Sequence, residues 1–157
     1  MAHSILFVCT GNVFRSMVAE HAMRTQLGPE SGYLIGSAGI EAKPQTIHPV
    51  ILARMMQKGA DPSRHAQRLL TQEMVDHTDL IIAMGLNHRD FIQRNFGRTV
   101  PLFNEASFGM DLPILDLHEA MPDWEHNLPG ARDYIESVID HIWDAVPLLL
   151  TRLPRFL

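Results

Sequence analysis

At 157 residues, with 46% hydrophobic and 20% charged side chains, the chain has the size and composition of one globular domain, expected to span residues 1–157. Its net charge of −5 argues against a general nucleic-acid binder, and no apolar run approaches the roughly 20 residues that cross a bilayer, so neither nucleic acid nor membrane is an expected partner. The single cysteine, Cys9, excludes an internal disulfide and suits a reducing cytoplasm; the expected state is a monomer or a weak homo-oligomer.

In chain order, residues 4–8 (SILFV) read as a buried strand; no basic lead precedes them, so they are not read as a signal peptide. Residues 16–27 (SMVAEHAMRTQL) read as a helix with Ser16 as its cap, stopped by Gly28-Pro29. YLIGS at 33–37 is a second strand, and 48–58 (HPVILARMMQK) a helix with Pro49 in its first turn and Gly59 closing it. A short helix opens on Thr71; DLIIAM at 79–84 is a third strand, 86–95 a short helix, and TVPLF at 99–103 a fourth strand. Residues 104–128 read as irregular, before a long helix over about 129–150 with Ile135, Val138, Ile139, Ile142 and Val146 on one face. This alternation predicts an α/β fold: a four-stranded, mostly parallel sheet with helices on both faces and a binding loop at the carboxyl end of the first strand.

That loop is CTGNVFRS, residues 9–16. Between a strand and a helix N-terminus, the amides of Thr10, Gly11, Asn12, Val13, Phe14, Arg15 and Ser16 can converge on an anion, and Gly11 and Asn12 tolerate the left-handed backbone such a turn needs. Arg15 can add two parallel hydrogen bonds to an oxyanion. The same dipoles favour a thiolate at Cys9, to which Ser16 can donate. A thiolate beneath a phosphoryl group can attack phosphorus, with one carboxyl group serving first as acid and then as base. Cys-x5-Arg alone is weak, because arginine is common here; its position after the first strand makes it specific. The nine histidines are scattered without a zinc-type spacing, so no metal site is expected.

Cys-x-Gly-Asn-x-x-Arg-Ser near the N-terminus resembles the signature of the low-molecular-weight protein tyrosine phosphatases, and SAG at 37–39, HAQRLLT at 65–71, DLIIAM at 79–84 and PDW at 122–124 follow in that family's order. The resemblance implies Cys9 as nucleophile, Asn12 holding the loop, Arg15 binding the phosphoryl group, Ser16 steadying the thiolate and His65 supporting the loop, with no cofactor. It implies a phosphotyrosine-containing protein or peptide as substrate, hydrolysed through a cysteinyl-phosphate.

The family's acid lies in an Asp-Pro segment before the last helix. The nearest match is Asp123, in Met-Pro-Asp-Trp, with Asp116 the runner-up and Asp111 third. Trp124 and Phe14 are expected at the substrate rim, with Phe14 as core the alternative; residues 39–45 form another rim. Glu20 reads as structural or solvated. The family's second loop cysteine is replaced by Phe14, so the chain itself offers no disulfide partner for Cys9. Two other readings stand: an arsenate reductase on the same fold that uses an external low-molecular-weight thiol, and a non-catalytic phosphate- or phosphopeptide-binding module.

Overall fold

The apolar run near the N-terminus becomes the centre of a parallel sheet because both its faces are covered. The structure, a computed structural model, describes residues 2–157. Strands β1 (His3–Cys9), β2 (Tyr33–Gly39) and β3 (Leu80–Ala83) pair in the order β2-β1-β3, all parallel. Alternation divides β1 between two cores. Ile5, Phe7 and Cys9 face one with Ile35, Leu80 and Ile82; Leu6 and Val8 face the other with Ala38, Ile81 and Ala83.

Among the described residues seven α-helices accompany the sheet: α1 (Arg15–Leu27), α2 (Pro49–Gln57), α3 (Gln72–Asp76), α4 (Leu86–Phe96), α5 (Phe103–Phe108), α6 (Leu117–Ala120) and α7 (Leu128–Arg152). Met17, Val18, Ala22 and Met23 of α1 pack on the first core with Ile135, Val138, Ile139, Ile142 and Val146 of α7. Val75 of α3 and Ile92 of α4 close the second core. Pro49 starts α2, and Thr71 caps α3 by accepting from the Met74 amide, both as expected. Among the described residues no helix is long and apolar enough to cross a membrane.

The sheet has three strands rather than the expected four. TVPLF makes only an isolated bridge, Ala83 to Leu102. Pro101 has no amide to give a ladder, although its carbonyl accepts from Ala83 N at 2.9 Å. The Leu102 amide goes to Glu105 Oε1 at 3.1 Å, which turns the chain into α5 instead. The segment expected to be irregular holds α5, α6 and a 3-10 turn at Trp124–His126. Ser16 is not the cap of α1: that helix starts one residue earlier, after Phe14, and the Ser16 hydroxyl turns inward to Cys9.

The end of β2 positions the loop after β1. Ile40 N and Glu41 N donate to the carbonyls of Cys9 and Thr10, at 3.0 and 2.9 Å. Gly39 lies so close to that loop that a Cβ there would collide with the Thr10 carbonyl oxygen, so glycine is required at this crossing.

Candidate active site

The loop from Thr10 to Phe14 leads from the carboxyl end of the central strand into α1, and it turns on Asn12. Asn12, at φ 56°, is the one non-glycine residue with positive φ among the described residues. Its side chain is fully buried and fully used. Nδ2 donates to Ser16 Oγ at 2.9 Å and to Ser37 Oγ at 2.8 Å, while Oδ1 accepts from the Arg68 amide at 3.0 Å. The Asn12 carbonyl accepts from His65 Nε2 at 2.8 Å. Ser37 in turn donates to Glu20 Oε1 at 2.5 Å. Each donation sets the next: with Asn12 donating into Ser16 Oγ, the serine proton is left for Cys9 Sγ, 2.8 Å away. Glu20, expected to be structural or solvated, is a buried anchor of this chain, paired with Arg24 at 3.1 Å.

The amides of Gly11, Asn12, Val13 and Phe14 donate to no backbone carbonyl among the described residues. Together with the unpaired first turn of α1, they leave the loop rich in free donors, the property of an anion cradle. Cys9, Thr10, Gly11, Val13, Phe14 and Arg15 line one cavity. Opposite them stand Glu41, Lys43 and Gln45 of the rim after β2, with Ile51, Asp116, Leu117 and Ile135.

Arg15 is 2% exposed and reaches across the chain: Nη1 donates to the Ile114 carbonyl at 2.8 Å. Its Nη2 lies 3.9 Å from Asp116 Oδ2, and Nη1 lies 3.6 Å from Glu119 Oε1. Of the two carboxylates that line the cavity, Glu41 and Asp116, it is Asp116 that lies beside Arg15, and it also caps α6 through the Leu117 amide at 2.9 Å. Asp123 is exposed, precedes the 3-10 turn and does not line the cavity. Asp111 is also exposed and pairs with Arg89.

Phe14 is only 8% exposed and packs in the first core, with one side on the cavity, so it is mainly a core residue rather than an open rim. Trp124 lines a neighbouring apolar groove with Val50, Leu128 and Ile135. His48 and Ile135 border both recesses, so the groove continues from the cavity.

One buried contact had no signal in the sequence. Thr10 Oγ1 lies 2.8 Å from His88 Nε2, and His88 Nδ1 accepts from the Gly85 amide at 2.9 Å. That acceptance puts the ring proton on Nε2, so His88 donates to Thr10 and leaves the threonine hydroxyl proton free. Burial, then the Arg15 charge, push His88 down from the ordinary 6.5 to about 3. The folded protein thus holds this ring neutral, whereas the unfolded chain protonates it near pH 6.5. Its contribution is intact above that pH and declines as pH falls toward about 3. Between pH 7 and 5 the wild type should lose about 2 kcal/mol of unfolding free energy through this group alone. His88→Gln, which keeps a donor for Thr10, should flatten that slope; denaturant unfolding at the two pH values measures it, and equal slopes would refute the assignment.

The low molecular weight phosphotyrosine protein phosphatase family model matches residues 4–155. Arsenate reductase 2 of Staphylococcus epidermidis is 35% identical over 81 residues, which are 52% of this chain and 59% of that protein, so the chain spans less than two thirds of that relative. The probable low molecular weight protein-tyrosine-phosphatase EpsP of Ralstonia solanacearum is 35% identical over 105 residues, 66% of this chain and 70% of EpsP. Among solved structures, the YwlE arginine phosphatase, as a cysteine-to-serine mutant with a phosphorylated active site serine, superposes with a TM-score of 0.81 at 27% identity, covering 97% of this chain and 96% of that one.

Proposed function

We propose that this chain, which belongs to the low molecular weight phosphotyrosine protein phosphatase family, hydrolyses phosphotyrosine in proteins or peptides through a cysteinyl-phosphate. The observation that carries this reading is Cys9 Sγ at 2.8 Å from Ser16 Oγ, in a cavity that Arg15 and Asp116 also line. The phosphoryl oxygens take the free loop amides and the Arg15 guanidinium. The Cys9 thiolate attacks phosphorus; the P–S bond forms as the bond to the leaving oxygen breaks, and Asp116 gives that oxygen its proton. The same carboxylate then takes a proton from the water that attacks the cysteinyl-phosphate, which releases phosphate and restores the thiolate. Ser16, its hydroxyl aimed at sulfur by Asn12, makes the thiolate a better leaving group in that second step.

The choice of phosphotyrosine rests on the walls. Val13, Phe14, Ile51, Leu117 and Ile135 present apolar surface along the path out of the cradle. An aryl ring desolvates there at little cost, whereas the remaining N–H groups of a phosphoarginine find no acceptor on these five side chains and depend on the polar part of the lining, Glu41, Gln45 and Asp116. Each donor left unpaired costs about 1–3 kcal/mol, so kcat/KM for a phosphotyrosine peptide should exceed that for the matched phosphoarginine peptide by roughly tenfold or more. Initial rates on the two peptides test this. A faster phosphoarginine reaction would move the substrate to the P–N class named for the YwlE structure, and arsenate reduction driven by glutathione or mycothiol without either hydrolysis would move it to the reductase class.

A further inference from the structure

Outside the cavity, the fold brings three potential metal donors together. Glu20 and His21 are adjacent on α1, and His65 lies in the loop between α2 and α3. One carboxylate oxygen and one ring nitrogen from each histidine lie within 4.8 Å of one another. His21 Nε2 and His65 Nδ1 are 3.2 Å apart, with the rings at 77°. Two imidazole nitrogens bound to one tetrahedral zinc at about 2.0–2.1 Å stand roughly 3.3–3.4 Å apart. The two ring nitrogens are thus already spaced for a shared ion.

The His65 tautomer agrees with that role. The Asn12 carbonyl can only accept, so His65 Nε2 carries the proton and Nδ1 turns its lone pair toward His21. Metal-binding histidines are commonly held this way, with the far N–H on a backbone carbonyl. For His21 to bind through Nε2, its proton moves to Nδ1; both rings stay neutral and no net proton is released.

We propose that Glu20, His21 and His65 form a site for a transition-metal dication of the zinc class, placed on the support of the phosphate loop rather than in its cavity. Glu20 contributes lone pairs beyond those used by Ser37 and Arg24. Arg24, Arg64 and Arg68 share the recess with Asp61 and oppose a cation there. Affinity must therefore come from the imidazoles, which selects zinc, nickel or cobalt over magnesium and calcium. An ion here would clamp His65, and through it the carbonyl of the left-handed Asn12.

The test uses the full chain carrying Cys9→Ser, so that the thiolate cannot be the ligand. Calorimetric titration with zinc should give one equivalent bound per chain, and cobalt should show visible ligand-field absorption of a nitrogen- and oxygen-ligated ion. His21→Gln in that background should weaken binding by more than about tenfold. Glutamine keeps an N–H for His65, and His21 is half-buried on an otherwise well-packed helix, so circular dichroism should be unchanged. Zinc binding unaffected by His21→Gln, equal binding of magnesium, or no binding at millimolar zinc would each overturn the site. None of these readouts depends on the phosphatase assignment.

Discussion

Cys9→Ser is expected to remove turnover of p-nitrophenyl phosphate, with a fall in kcat on the order of 10⁴-fold or more, while inorganic phosphate still binds. The two halves of this result have separate causes. Turnover needs the sulfur: a thiolate is a strong nucleophile and leaves readily in the second step, and a serine hydroxyl matches it in neither. Binding needs the loop, which is held by other groups. Asn12 takes hydrogen bonds from the Arg68 amide and His65, and gives them to Ser16 and Ser37. Arg15 is tied to the Ile114 carbonyl. Serine is smaller than cysteine, sits in the same 2%-exposed position and can itself bond to Ser16 Oγ. Phosphate affinity by calorimetry should therefore stay within a few-fold of wild type. Retained turnover would end the nucleophile assignment; lost binding would show that sulfur, not the amide cradle, holds the loop.

The part of the site that was legible in the sequence is the part encoded locally. A buried strand, a Gly-Asn turn and a helix within residues 4–27 specify the loop, and their periodicities do not conflict. What escaped is carried by contacts between distant segments. The chain Glu20–Ser37–Asn12 joins a helix, a strand and a loop, and the Thr10–His88 bond spans 78 positions. His21 and His65 are 44 positions apart, so no ligand spacing could reveal them. The expected fourth strand does not form for a different reason. Its apolar run is genuine and Leu102 is buried, but one proline and the Glu105 cap divert the backbone. The Asp-x-x-Glu capping box at 116–119 was present in the sequence as a helix signal; that its loop folds over Arg15 was not, because Arg15 reaches Ile114 across 99 positions.

That fold-over decides which aspartate to test. Asp116→Asn is expected to lower kcat for phosphotyrosine by about 10²- to 10³-fold, with a smaller loss for p-nitrophenyl phosphate, whose leaving group needs little protonation. Asp123→Ala should change both rates by no more than about twofold, as an exposed turn residue outside the cavity would. The asparagine variant isolates the proton because it keeps the structural role. Asp116 caps α6 by accepting from Leu117 N at 2.9 Å, and asparagine caps helices as well as aspartate does. Its other oxygen, Oδ2, lies 3.9 Å from Arg15 Nη2 and 3.1 Å from His118 Nδ1, and Asp116 lines the same cavity as Cys9. Glu119 is a weaker candidate although it also nears Arg15: its Oε1 accepts from the Asp116 amide at 3.0 Å, and it does not line the cavity. A series of aryl phosphates of graded leaving-group basicity gives the decisive plot. Loss of the acid steepens the dependence of kcat on leaving-group basicity in the affected variant. Steepening in Asp116→Asn with an unchanged slope in Asp123→Ala is the expected pattern. The reverse pattern would mean that the segment bearing Asp123 moves over Cys9 during the reaction and that Asp116 serves only to orient Arg15.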